Sequence, residues 1–288
     1  MAMIPSRRIR VLIIAAIFPA AGTAFPLPAQ APSLKGEFSL GLGVGFSRAE
    51  GNAVQRSAWP TGPLAGSTAE NAFSLSSRAA VFFGGSYTRF FGPRLGIQAG
   101  FGYLKSRLET GTSFRRGGPA AAPLVRLSET PDPSEITAVP FYAAGAVRWE
   151  NSSLGVVLTA GPAVILHSIV AKTEAGILSA DNGFPAAYRV PVEIADQTWI
   201  ALGAVFGAAV DLRTSAKTAV TFDVRYVLSP SRSFPWSWSP GQASEIDVPS
   251  SGVPLTADVA AAAAASTPRL RLSPSFLQIS CALKFRLD

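Results

Sequence analysis

His167 is the only histidine among 288 residues, and Ser168 follows it directly. Such a pair could serve a hydrolase, in which a nucleophile needs a base within hydrogen-bond reach and a third group to orient that base. The local pattern argues against it. Residues 154–168 read as a strand, and adjacent residues on a strand point to opposite faces, so the two do not form a dyad. His167 is read as a lumen or loop-edge residue. Zinc would want three or four ligands, and one His with one Cys, Cys281, cannot supply them. Asp211 and Asp223 flank a tight turn at 214–217, with Arg213 and Arg225 two residues further on, which fits ion pairing better than acid–base catalysis. No phosphate-binding glycine motif, nucleotide fingerprint or nucleic-acid module appears. The chain is predicted to be no enzyme, to hold no cofactor and to bind no nucleic acid.

The elements that carry these residues show in the alternation. The closing stretch FLQISCALKFRLD (276–288) sets Leu277, Ile279, Cys281, Leu283, Phe285 and Leu287 against Gln278, Ser280, Ala282, Lys284 and Arg286. Period-2 alternation of this kind marks a β-strand with one apolar and one polar face. Seven earlier stretches repeat it, at about 37–47, 73–87, 95–106, 136–149, 154–168, 198–213 and 218–228. In the second, Phe73, Leu75, Val81, Phe83 and Tyr87 are read on one face and Arg78 on the other. Connections alternate long (48–72, 107–135, 169–197, 229–275) and short (88–94, 150–153, 214–217). Long loops on one end and tight turns on the other are the pattern of a transmembrane barrel.

Composition agrees. Hydrophobic residues make 48 % and charged residues 15 %, below the roughly 25 % charged of ordinary soluble domains. The polar faces carry Gly, Ala and Ser with sparse charges of both signs, which suits a tight lumen rather than a solvated surface. Glu37, Asp211 and Asp223 against Arg78, Arg148, Arg225, Lys284 and Arg286 are expected to form a lumen charge network. The apolar face is tipped by Phe38, Trp149 and Phe285 at the turn end and by Phe46, Phe73 and Tyr103 at the loop end, as in aromatic girdles.

Arg7, Arg8 and Arg10 precede an apolar run (VLIIAAIF, 11–18) and small residues at 21–24, a secretory signal peptide cut after Ala24. The expected organisation is a signal peptide at 1–24, a short lead at 25–35 and a barrel at 36–288. A single Cys forms no internal disulfide. Without residues 1–24 the net charge falls to +4, too small to argue for a nucleic-acid partner.

Six further stretches carry a resemblance: GSYTRFFGPRLGIQAGFGYLKS (85–106), ITAVPFYAAGAVRW (136–149), LGVVLTAGPAVIL (154–166), ALGAVFGAAVDL (201–212), VTFDVRY (220–226) and the terminal strand. In that order they resemble the eight-stranded outer-membrane β-barrel domains of the PorT-like and OmpA/OmpX-like kind. Ser280 stands where the family's assembly signal has Gly, and the chain ends on Asp288 where an aromatic is usual. The resemblance implies an all-β, eight-stranded antiparallel transmembrane barrel in the outer membrane of a diderm bacterium. It also implies that the assembly machinery reads the C-terminal strand. Arg115 and Arg116, in the third connection's loop, are expected at lipopolysaccharide phosphates or in solvent. Trp236 and Trp238 either anchor to an extracellular partner or to the membrane surface, or plug the mouth. The alanine run at 257–266 is a short helix or a linker. The first functional expectation is a filled, structural or surface-interaction barrel. A small-solute channel and a lipid-modifying enzyme are the alternatives.

Overall fold

The computed structural model describes residues 36–58, 61, 65–118, 122–127, 134–181, 184–239, 242, 244–245 and 269–287. The signal-peptide and lead readings at 1–35 and the alanine run at 257–266 lie outside them. Fifteen strands follow in order: β1 (Gly36–Ser47), β2 (Gly51–Ala58), β3 (Thr68–Ser77), β4 (Ala79–Phe90), β5 (Leu95–Gly117), β6 (Ala122–Leu127), β7 (Ser134–Glu150), β8 (Leu154–Asp181), β9 (Phe184–Arg213), β10 (Thr218–Leu228), β11 (Arg232–Phe234), β12 (Ser237–Trp238), β13 (Ser244–Glu245), β14 (Leu270–Leu272) and β15 (Phe276–Leu287).

Eight of them close a ring, β1–β4–β5–β7–β8–β9–β10–β15 and back to β1, with every ladder antiparallel. The last strand meets the first over its whole length, from Gly36 opposite Leu287 to Ser47 opposite Phe276. Closure pairs the backbone groups that an open sheet edge would expose. In hydrocarbon each such group left unpaired costs several kcal/mol.

The outer surface of the ring is apolar. Leu42, Phe83, Phe222 and Leu283 stand exposed on it, and Phe38, Phe46, Tyr87, Tyr103 and Phe285 are exposed toward its two margins. Phe38 to Phe46 is a run of nine residues, the length of a tilted strand that crosses a bilayer core. Inside, small residues make room for large ones. A Cβ at Gly45 would collide with Leu104, one at Gly100 with Tyr142 and one at Gly102 with Phe82. Glycine here leaves space for side chains reaching across a narrow bore.

Three expectations about the connections and faces need correction. The connections at 107–135 and 169–197 are largely strand: β5 continues to Gly117, β8 to Asp181, and β9 begins at Phe184. Together with β2, β3, β6, β12 and β13 they extend the sheet well past the apolar band. Second, the sheet changes face at that boundary. Ser77 pairs with Leu108 and Phe82 with Leu104, five steps against four, so one extra residue lies between β3 and β4. A similar shift separates the pairs Ile169–Gln197 and Ala171–Ile194, leaving an extra residue on β9. One extra residue turns all later side chains to the opposite face. Phe73 and Leu75 are therefore buried, whereas Val81 and Phe83 point out, and Phe73 belongs to no girdle. Third, Arg78 sits at the extra residue and faces out.

The apolar exterior has a direct test. Leu42, Cys281 and Phe222 lie side by side at one level of β1, β15 and β10. Leu42→Arg or Phe222→Arg should cost about 2–4 kcal/mol on refolding into phospholipid vesicles, the usual cost of Arg at mid-bilayer. Val54 is comparably exposed, at 48 % against 62 % for Leu42, but lies on the extension. Val54→Arg should cost less than about 0.5 kcal/mol there, as for an ordinary water-facing site. Equal costs would remove the membrane from the explanation.

Candidate functional site in the lumen and at its mouth

The lumen is filled in layers. At the turn end, β1, β7, β9 and β15 aim charges inward. Arg148 lies 2.9 Å from Glu37 and 3.7 Å from Glu150. Lys284 lies 2.6 Å from Asp211 and 3.4 Å from Glu37. Arg286 reaches Glu37 at 3.5 Å and Glu150 at 3.3 Å, and Arg213 reaches Glu150 at 2.7 Å. Thr221 donates to Asp211 Oδ1 at 2.7 Å. The Arg148 guanidinium stacks on Phe90, 3.8 Å from the ring centre.

One level further in, Arg225 and Asp223 pair at 2.6 Å, and the Arg225 guanidinium sits 4.9 Å over Tyr142. Gln98 donates to Thr88 at 2.9 Å, and the Ser39 and Ser86 hydroxyls meet at 2.8 Å. A polar void of about 20 Å³ beside Asp223, Arg225, Gln278 and Ser280 has room for a single water. Above this level the bore turns apolar, with Phe82, Leu104, Ile165, Val205, Val227 and Phe276 packed together.

Described residues between β10 and β15 pack at the mouth. Phe234 and Trp236, with Leu270 and Leu272 of β14, pack against Phe73, Ile169, Val192, Ile194 and Trp199. The Trp236 ring stacks on Phe73 with centres 5.3 Å apart. Beyond this plug the two halves of the extension face each other. Asn71 donates to the Gly176 carbonyl and accepts from its amide, both at 2.8 Å, and Phe114 fills the space over Gly176. Glu174 lies 3.4 Å from Arg189; burial pushes its carboxyl up and Arg189 pulls it back.

The expected network residues fall as follows. Glu37, Arg148, Asp211, Lys284 and Arg286 come together at the turn end, and Asp223 with Arg225 lies next to them. Arg78 does not join. Its side chain is 63 % exposed and pairs with Glu109 on the outside, because the extra residue at this point turns it outward. Glu150 joins unforeseen, at a strand end beside a short turn where alternation gives little guidance, and Arg213, expected to pair beside Asp211, reaches Glu150 instead. Trp236 is buried in the plug, and Trp238 pairs with β9 and packs partly against the same cluster. Arg115 is exposed and Arg116 half-buried at the far end of β5, twelve and thirteen residues past Tyr103. Along a strand tilted by about 40° that places them roughly 30 Å beyond Tyr103. His167 finds Ser229, not Ser168: Nε2 and the Ser229 Oγ are 2.9 Å apart, both buried, with the imidazole stacked on Trp199. The Ser168 hydroxyl instead donates to Asp196 at 2.8 Å. Among the described residues His167 Nδ1 has no hydrogen-bond partner that would orient the base. Ser229 is 62 residues away, and no local pattern announces it.

No protein-family model matches the chain, and no curated protein matches it in sequence. Among solved structures it is similar to the outer membrane protein OprG from Pseudomonas aeruginosa, with a TM-score of 0.44 at 9 % identity over 88 % of this chain and 97 % of that one. It is similar to the outer membrane protease OmpT from Escherichia coli, with a TM-score of 0.40 at 8 % identity over 91 % and 99 %. It is also similar to Ail, the attachment invasion locus protein of Yersinia pestis, with a TM-score of 0.35 at 9 % identity over 88 % and 100 %. The barrel assignment rests on the closed register and the apolar exterior.

Lys284 is the hinge of the charge layer, since among the described residues it alone bridges Asp211 and Glu37. Lys284→Met should destabilise the barrel by about 3–5 kcal/mol, the usual cost of stranding a buried partner charge. The double variant Lys284→Met/Asp211→Asn should recover part of that loss, because the stranded carboxylate is gone. Arg78→Ala should change stability by about 1 kcal/mol or less, as for an exposed pair. Urea refolding followed by the heat-dependent gel shift reads all three. A full penalty at Arg78 would contradict the assignment of faces.

Proposed function

We propose that this chain is an exported outer-membrane β-barrel with a filled lumen, acting as a structural or surface-interaction protein through the β-structured extension rather than as a channel or an enzyme. The observation that carries this reading is closure at three levels: the ion-pair layer, the apolar mid-bore layer and the aromatic plug. Eight strands leave an interior just wide enough for side chains to fill. The apolar exterior and its aromatic margins support residence in a bilayer, and the short turns at one end support entry with those turns on the periplasmic side. The extension then faces outward, where outer-membrane lipid, lipopolysaccharide and an extracellular partner are the available contacts. The strand at 276–287 would be the segment handled by the assembly machinery.

An enzyme reading has little to stand on, since His167 and Ser229 are buried and lack an orienting acid among the described residues. A channel reading has, among the described residues of the bore, a void of about one water beside Asp223 and Arg225.

Planar-bilayer recording of the purified barrel decides between the readings. The unmodified protein should show no steady open state of porin size. Removing residues 232–272, which carry the plug, should leave it silent, because the two inner layers remain. Replacing Arg148 and Arg225 by Ala should empty the charged levels and give at most small flickering currents. A large, stable conductance from the unmodified protein would overturn the proposal.

A further inference from the structure

The extra residue at Arg78 has a second effect, on the outside of the barrel. Between the pair Ser77–Leu108 and the pair Phe82–Leu104 the ladder on that side of β5 is interrupted. The backbone there is held instead by the Arg78 amide on the Arg107 carbonyl at 3.0 Å and by the Ser106 hydroxyl on the Arg78 carbonyl. On the outer face of this interruption lies a groove of about 540 Å³ lined by Val81, Phe83, Tyr103, Lys105, Arg107 and Glu135. Its chemistry is graded. Val81, Phe83 and Tyr103 belong to the apolar band, and Val81 is 74 % exposed. Lys105 and Arg107 stand two and four residues beyond Tyr103 on the same face of β5. At about 3.4 Å per residue, along a strand tilted by about 40°, they rise roughly 5 and 10 Å above the aromatic margin. Lys105 thus lies within the headgroup layer, about 5–8 Å of polar region on each side of the hydrocarbon core, and Arg107 stands just above it with a side chain long enough to reach back.

Glu135 positions this end of the groove. It lies opposite Arg107 in register, yet it bonds Lys105 at 2.8 Å. Among the described residues no ion pair is found for Arg107. One guanidinium, with its fork of donors free, thus stands beside an ammonium at the top of an apolar groove. Guanidinium and ammonium groups bind phosphate oxygens through charge-assisted hydrogen bonds.

We propose that this groove holds one phosphate-bearing lipid of the membrane's outer leaflet, with its acyl chain against Val81, Phe83 and Tyr103 and its phosphate on Arg107 and Lys105. The assignment rests on the membrane reading above. It moves the lipid contact of this chain from Arg115 and Arg116 to residues at the right height. Charge complementarity and continuity with the lipid-facing band select a lipid phosphate over a soluble anion.

The test uses the full mature chain, refolded into nanodiscs of phosphatidylcholine doped with phosphatidic acid as the phosphomonoester probe. Native mass spectrometry of the released barrel counts retained lipid. The unmodified protein should retain phosphatidic acid in preference to phosphatidylcholine. Lys105→Gln/Arg107→Gln should lower that preference about tenfold, the effect of losing one good charge-assisted contact. Arg115→Gln/Arg116→Gln should leave it unchanged. Inorganic phosphate at buffer concentrations should not displace the lipid. Equal retention by Lys105→Gln/Arg107→Gln, equal loss in Arg115→Gln/Arg116→Gln, or displacement by free phosphate would each overturn the proposal. The gel shift and protease protection of the same samples report insertion separately. A barrel that inserts without lipid preference refutes this site alone, and one that does not insert refutes the membrane reading and the site with it.

Discussion

The constraint on which the rest depends is closure of the sheet by β1 and β15. A strand edge in hydrocarbon leaves amide and carbonyl groups with no water to bond, so a spanning sheet must join its own ends. Closing with eight strands fixes a narrow bore. The narrow bore in turn dictates what the inward faces carry. A large residue is admitted only where its neighbour is glycine, as Leu104 is beside Gly45 and Tyr142 beside Gly100. A charge is admitted only where its partner is within reach, as Lys284 is with Asp211. The alternating glycines and the mixed signs of the inner face are two consequences of one ring size.

A single sheet here serves two solvents. Below the level of Arg78 its outer face meets an apolar medium and its inner face holds the polar groups. Above that level the outer face carries Arg78, Glu109 and Arg115, and the inner face becomes an ordinary hydrophobic core of Phe73, Leu75, Ile169 and Ile194. Polar-in becomes apolar-in within a continuous strand, and inserting one residue does this by turning the apolar set to the inner face. The extra residues at Arg78 and near Asp196 do this on two sides of the ring. Where a bulge is absent, as along β5, the exchange is made by residue choice alone: Gln98 and Gly100 give way to Leu104, Leu108 and Phe114 on the same inward parity.

This explains what was legible in the sequence. The eight strands, their order and the outward faces of Leu42, Phe101 and Phe222 follow from alternation, because alternation is strict wherever one face meets lipid. The grouping of Glu37, Arg148, Asp211, Lys284 and Arg286 was readable because inward parity and opposite sign leave such residues few other places. The outward turn of Arg78 was not, since a one-residue bulge leaves no mark in an otherwise good strand. The extension was missed because its strands are built of Thr, Ser, Ala and charged residues between turns, which read as loop. The placement of Trp236 over Phe73 and of Ser229 beside His167 depends on contacts across more than sixty residues, and local pattern carries no information about these.

The arrangement of the layers bears on where activity can lie. The ion-pair layer at the turn end is tied together by shared partners: Glu37 meets Arg148, Lys284 and Arg286, and Glu150 meets Arg148, Arg213 and Arg286. Moving any one of these side chains would strand a buried charge, so this layer resists opening in small steps. The plug at the other end is apolar, and opening it would wet Trp199, Phe234 and Trp236 together. A solute crossing the bore would need both rearrangements, and among the described residues the two layers share no side chain. On the proposed reading the interior is a rigid filling. What remains variable and accessible is the surface, which the extension and the margin of the apolar band make up.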